Sequence, residues 1–514
     1  MVSGTAGAEQ KPKSRIIGDL TMPPEGARGL DGPDPDEAVD VVLELNARYP
    51  GPASAAHEAF RGLWQRFTER AAPKDDVPRV LFQTTRISRK LYQCVLTRAT
   101  LAVLLEMDVP GPAGARIIFR AWPDYELYPH IDRSAPTVKI DAARRSFSAL
   151  GEGIVWAVID TGIDATHPHF SALELAREGM PGAAPSPQTG GLHRDFSGLV
   201  RPSLGLPTAP AGPLVDEEGH GTHVAGIISG VCPDGRTPHV ASSDEAADGG
   251  FVPRAHTGSL SGMAPQCELV SLKVFRRVAG VPVTSSAAVI AAIEHILTEV
   301  NVSRQPPRVH GVNLSLGCEW DPSHYAAGQS PLDQMLTELV STGVNVVVSA
   351  GNNGSAAATQ SANQSTGVLA SITEPGHTEA VVTVGSTHRD APHVFGVSWT
   401  SSKGPTLDGR AKPDVVAPGE WICSAASGTV RTRAGLDSVT GDDASLTYAE
   451  LSGTSMAAPH VSGIIAAFLS GRPEYIGRAA DVKALLMRTA LDLGRDRNGQ
   501  GAGLADAMAM LLNY

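Results

Sequence analysis

Three side chains with complementary chemistry stand in three glycine-rich stretches far apart in the chain. Asp160 closes the apolar run Gly153-Ile154-Val155-Trp156-Ala157-Val158-Ile159, His220 lies in Gly219-His220-Gly221-Thr222-His223, and Ser455 lies in Gly453-Thr454-Ser455-Met456-Ala457-Ala458-Pro459-His460. A hydroxyl is a weak nucleophile at neutral pH, an imidazole can take its proton, and a carboxylate can hold the imidazole in one tautomer. Together they can transfer an acyl group, and each is weak without the others. Residue type alone leaves other uses open. A serine at a helix start is also a common N-cap, and His220 with His223 has the spacing of a metal pair. No third ligand accompanies that pair, so no metal site is expected there. His167 and His460 are expected to be structural.

The elements needed to position these groups can be read from the pattern. The run ending at Asp160 is apolar without alternation, which suits a strand buried on both faces of a parallel sheet. The carboxyl ends of such strands are where open α/β sheets carry their sites. His220 enters an apolar helix. Ser455 leads into another, through Ala457, Ala458, Val461, Ile464, Ile465, Ala466, Phe468 and Leu469, with Pro459 expected in its first turn. Further buried strands are expected at Leu269–Phe275, at Val309–Gly317 breaking at glycine, and at Val344–Ser349 leading into Ala350-Gly351-Asn352. The expected fold is α/β, a mostly parallel sheet with helices on both faces.

The runs Asp160-Thr161-Gly162, His220-Gly221-Thr222-His223 and Gly453-Thr454-Ser455-Met456-Ala457-Ala458-Pro459 resemble, in order, the motifs of the subtilisin family of serine proteases (subtilases). The order Asp, His, Ser is the one subtilisin itself shows, whereas an α/β-hydrolase would run Ser, Asp, His. Ala350-Gly351-Asn352 is similar to a fourth family motif. The resemblance implies a serine endopeptidase acting on a protein or peptide substrate, with Asp160, His220 and Ser455 as triad and no cofactor. It implies that Asn352 donates to the oxyanion, and that Ser315, Leu316 and Gly317 pair with the substrate backbone. It also puts Glu374, just before Pro375-Gly376, near the pocket for the side chain that precedes the cut bond. One departure stands out. Many members carry a calcium-ligating Asp nine residues after the triad Asp, and this chain has His169, so that site is expected to be absent. The alternatives are a peptidyl transferase or macrocyclase on the same fold, and a binding scaffold without catalysis.

The rest of the chain is read from composition and period. Residues 1–37, rich in Gly, Pro and charge, are expected to be a disordered tail. Residues 38–121 alternate strand-like and helical stretches in the order β-α-β-β-α-β, a ferredoxin-like split βαβ unit. That order resembles the prodomain of many subtilases, and an independent binding or targeting module is the other reading. A Pro-punctuated connector is expected at 122–135 and the catalytic domain at 136–514. Two Pro/Gly-rich or polar insertions, 179–213 and 233–258, are expected as long loops, the first on the surface. The 514 residues, 42% of them hydrophobic, suffice for a full core, and the net charge of −12 argues against nucleic acid as a partner. No apolar stretch approaches the roughly 18 residues of a membrane span. Five scattered cysteines, with no apolar segment in the first twenty residues, point to a cytoplasmic protein without a disulfide framework, with secretion by a leaderless route as the other reading. Nothing in the sequence fixes the oligomeric state.

Overall fold

The computed structural model describes residues 38–514 except the segments 72–81, 87–90, 111–114, 124–133, 201–211, 244–249, 303–305, 320–325 and 358–364 and a few single positions. The expected tail therefore lies outside the described residues, as does most of the expected connector. The chain divides into two compact units, 1–129 and 130–514.

In the first unit the strands β1 (Ala38–Leu45), β2 (Thr84–Arg86), β3 (Leu91–Thr97) and β4 (Ile118–Pro123) form an antiparallel sheet in the order β2-β3-β1-β4. Helices α1 (Ala55–Ala71) and α2 (Arg98–Met107) complete the β-α-β-β-α-β order read from the sequence. The period-2 pattern sets the register. Val41 lies opposite Cys94 and Leu43 opposite Tyr92, so one face carries the apolar side chains. That face packs against Phe60, Leu63 and Phe67 of α1, spaced as one stripe of a helix. The pattern predicts a helix from Thr97 to Met107; Thr97 is instead its cap, reciprocal with Thr100, since its hydroxyl accepts from the Thr100 N–H. The sequence pattern also predicts a strand at Arg79-Val80-Leu81-Phe82, which falls mostly outside the described residues; the strand beside β3 is Thr84–Arg86.

The second unit is built on a seven-stranded parallel sheet. Its order is Val415–Pro418, Val382–Thr387, Asn345–Ser349, Gly311–Leu314, Val155–Asp160, Glu268–Lys273 and Arg194–Asp195. Along the Asp160 strand, Trp156 and Val158 enter one apolar cluster while Val155, Ala157 and Ile159 enter another on the opposite face. Both faces are covered, which is why the run is apolar without alternation. Helices His220–Ile228 and Thr454–Gly471 cover the first face, and Ser286–His295 and Pro331–Ser341 the second.

Two expectations about the loops need correction. The stretch 179–213 is not merely a surface loop. Its described part buries Thr189, Leu192 and Val200, and Arg194–Asp195 adds the edge strand to the sheet. The polar segment 233–258 supplies strands His239–Ser243 and Phe251–Ala255 to a second sheet, which they form with Ile422–Ala425 and Thr447–Leu451. In both cases the strands are too short and too polar to stand out from their turn-rich flanks.

Candidate active site

Asp160 ends its strand with a fully buried side chain, and its Oδ1 accepts from the Thr161 N–H at 2.7 Å. The same oxygen lies 2.8 Å from Nδ1 of His220, whose ring is 32% exposed. Burial alone would lower the imidazole pKa. The Asp160 charge and hydrogen bond, with a contribution from Asp216, outweigh that and hold it above its ordinary value. The glycines flanking His220 follow from close packing. A Cβ at Gly219 would lie 2.1 Å from the Ser427 carbonyl oxygen, and one at Gly221 would lie 2.2 Å from that of Gly162. Asp216 fastens the start of this helix, accepting from the Gly219 and Thr222 N–H groups, both at 2.8 Å.

Ser455 is the second residue of its helix and not its cap. The N-cap position is Gly453, which offers no side chain. The Ser455 hydroxyl donates instead to the Ser315 carbonyl at 3.2 Å. Pro459 lies deeper than the first turn, as the sixth residue of the helix. A proline at that depth typically costs about 3 kcal/mol, partly because the carbonyl four residues earlier loses its N–H partner. That carbonyl is Ser455's own, and the Ser315 hydroxyl donates to it at 2.9 Å. The two serines thus hold each other by both polar groups.

Asn352 follows the strand Asn345–Ser349, and its Oδ1 accepts from the Thr454 N–H at 3.0 Å and the Thr454 hydroxyl at 3.2 Å. Its Nδ2 makes no hydrogen bond among the described residues and lies 3.3 Å from where a Gly453 Cβ would stand. Ser315, Leu316 and Gly317 continue beyond the ladder of strand Gly311–Leu314, with Ser315 buried and Gly317 exposed. A cavity of about 350 Å³ adjoins His220, lined among others by Thr161, Phe275, Pro282, Ser315 and Leu451.

The other singled-out residues are structural or lie below the surface. His223 bonds the Ala449 carbonyl at 2.9 Å, His167 that of Thr447 at 2.8 Å and His460 that of Met456 at 2.8 Å, and all three are buried. No group of three or more metal-ligating side chains occurs among the described residues. His169 is buried with Nδ1 3.1 Å from the Tyr448 hydroxyl and Nε2 against the Gly226 and Ser229 carbonyls. The Glu374 backbone pairs with Cys318, just past Gly317. Its side chain turns inward to His377, at 3.0 Å.

The model of the subtilase family matches residues 151–503, most of the chain and all of these groups. The chain belongs to the subtilase family. It is 29% identical to the serine protease AprX of Bacillus subtilis, over 71% of this chain and 68% of that protein. To the subtilisin-like protease PopC of Myxococcus xanthus it is 26% identical, over 77% of this chain and 66% of PopC. Subtilisin Savinase of Lederbergia lenta is also 26% identical, over 70% of this chain and 91% of Savinase. Membership makes this subtilase a subtilisin-like serine protease, whose substrates are proteins or peptides. The sequence had not revealed the supports of its site. Asp216 and Thr454 fasten the two helix starts, and the Ser315 side chain does more than border a groove. Asp216 stands three residues before the Gly219 cap position, outside the usual N-cap pattern, so no local signal marked it.

Proposed function

We propose that this subtilase cuts internal peptide bonds, with Ser455 as nucleophile, His220 as general base and acid, Asp160 as orienter and Asn352 as oxyanion donor. The observation that carries the reading is the Asp160–His220 contact of 2.8 Å between a fully buried carboxylate and a part-exposed imidazole. The carboxylate fixes the proton on Nδ1 and leaves Nε2 as the base. Before attack, the Ser455 hydroxyl swings from the Ser315 carbonyl to Nε2, a bond that tightens once substrate is bound. As Oγ adds to the carbonyl carbon, negative charge builds on the carbonyl oxygen. The unengaged Nδ2 of Asn352 and the Ser455 N–H receive it, and because Oδ1 is held by Thr454 the donor is oriented beforehand. His220 then hands its proton to the leaving amine, and water resolves the acyl-enzyme by the same route. The substrate's N-terminal half adds to Ser315–Gly317 as an extended strand.

In this reading the first unit serves as a prodomain, as its β-α-β-β-α-β order suggests. The cytoplasmic expectation draws no support from the relatives, one of which, in Xanthomonas campestris, is named an extracellular protease. No helix among the described residues is long and apolar enough to cross a membrane. The test is fluorophosphonate labelling together with peptide hydrolysis. The expected results are a single adduct on Ser455, products heavier by one water, and loss of both in Ser455→Ala. Turnover that survives Ser455→Ala would overturn the mechanism.

A further inference from the structure

Beyond the catalytic groups, the second unit displays a set of exposed apolar side chains. Val394, Phe395 and Trp421 are 72%, 65% and 40% exposed. The Phe395 ring stacks on His388 with centroids 4.5 Å apart, and His388 meets the Trp421 ring edge-on at 5.5 Å. Asp390 holds the His388 ring at 2.9 Å. Trp421 has a φ of +51°, a left-handed conformation that bulky residues rarely take. Two bonds hold it there. Its backbone N–H donates to the Ser452 hydroxyl at 2.9 Å, and its backbone carbonyl accepts from Arg389 at 2.7 Å, the same arginine that pairs with Glu450. An indole kept half in solvent at a conformational cost is the kind of local strain that clusters where ligands bind.

We propose that Trp421, His388 and Phe395 form a shelf for an aromatic or large apolar side chain of the substrate, on the C-terminal side of the bond that is cut. The inference rests on the catalytic reading above, because that reading fixes the direction of the chain. The leaving amine must lie where His220 can protonate it, and Leu451 borders the same cavity as His220. Leu451 pairs with Ile422, so the next residue on one strand, Ser452, meets the preceding residue on the other, Trp421. A substrate chain that runs from His220 over Leu451 and Ser452, away from Ser315–Gly317, would meet the shelf next. Burying an aromatic ring against others is favourable beyond the area removed from water.

The experiment uses the full chain and two peptides identical up to the cut bond. They differ in the four residues after it, which are all glycine in one and contain phenylalanine and leucine in the other. The expected wild-type ratio of kcat/KM favours the second peptide by about 3- to 10-fold, the factor an aromatic contact supplies, and does so through KM. Trp421→Gly suits the positive φ and keeps the fold, and Phe395→Ala changes only an exposed ring. Both should bring the ratio close to one without moving the thermal midpoint downward. A wild-type ratio near one, or a ratio unchanged in both variants, overturns the inference while the catalytic reading stands. If Trp421→Gly leaves the ratio alone but turns a dimer into a monomer in sedimentation, the rings are a self-association face and the inference is likewise overturned. A wild type that cuts neither peptide and takes no fluorophosphonate label brings down both readings.

Discussion

Mild acid should destabilise the second unit, by an amount that can be worked from its buried groups. Burial is the largest cause that holds His169 and His223 down to about 3 and His377 and His460 down to about 4, all from an ordinary 6.5. Each is depressed in the folded chain, so the stability it carries is present above 6.5 and is lost as the pH falls toward the folded value. Near pH 5.5 the unfolded chain holds four protons on these rings that the folded chain refuses. Burial acts in the opposite sense on two carboxyls. Glu268 and Asp333 are pushed up to about 7, the latter also by its neighbour Glu374, so the folded chain keeps two protons that the unfolded chain releases. For these six groups, four minus two leaves two extra protons on the unfolded state. At about 1.4 kcal/mol per proton per pH unit, the slope is about 2.8 kcal/mol per pH unit. Between pH 6 and 5 that is a large share of the roughly 5–15 kcal/mol that holds a domain folded. The assay is urea unfolding of the Ser455→Ala protein, which cannot digest itself, at half-unit steps from pH 7.5 to 5. His460→Gln, whose amide can still donate to the Met456 carbonyl, should lower the slope by about one proton. A midpoint that stays level or rises on acidification would show the reasoning wrong.

Three further outcomes follow from the site. Asn352→Ala should lower kcat by about 10²–10³, the loss known for the matching donor of subtilisin, with little change in KM because the oxyanion exists only in the transition state; an effect confined to KM would make Asn352 a turn residue. With His169 engaged by Tyr448 and two carbonyls where many subtilases carry a calcium-ligating acid, EDTA should leave activity and thermal midpoint nearly unchanged, and a drop restored by calcium would refute this. If the first unit is a prodomain, wild type should cut itself between about Pro129 and Thr137 while Ser455→Ala stays whole; intact mass spectrometry decides, and an active wild type at full length would make that unit a permanent part of the enzyme.

What the sequence revealed and what it hid follow from range. The Asp160 strand was legible because a strand buried on both faces must be apolar at every position, a purely local property. The glycines around His220 were legible as motif, but their cause is not local. They make room for the carbonyls of Ser427 and Gly162, which only folding brings close. The edge strand Arg194–Asp195 was hidden because two polar residues in a turn-rich stretch carry no periodic signal. The depth of Pro459 is not legible locally, because no capping side chain marks the helix start: the chain turns helical at Thr454 after Gly453 and sets the proline in the second turn. Trp421 was invisible as a feature, since its positive φ depends on partners at Ser452 and Arg389.

The reciprocal bonds between Ser315 and Ser455 also bear on how this sequence can change over generations. The Ser315 hydroxyl answers a carbonyl that is open only because residue 459 is proline. Replace Ser315 first, and the carbonyl loses its donor, at a typical loss of about 1–3 kcal/mol. Replace Pro459 by alanine first, and the helix supplies its own N–H, so that the Ser315 hydroxyl keeps only its role as acceptor for the buried Asn313 amide, 2.9 Å away. The two positions are thus a lock with an order of opening, and the permissive step lies in the helix. Ser315→Ala should cost markedly less stability in a Pro459→Ala background than alone, so a lineage should reach a new residue at 315 by way of 459.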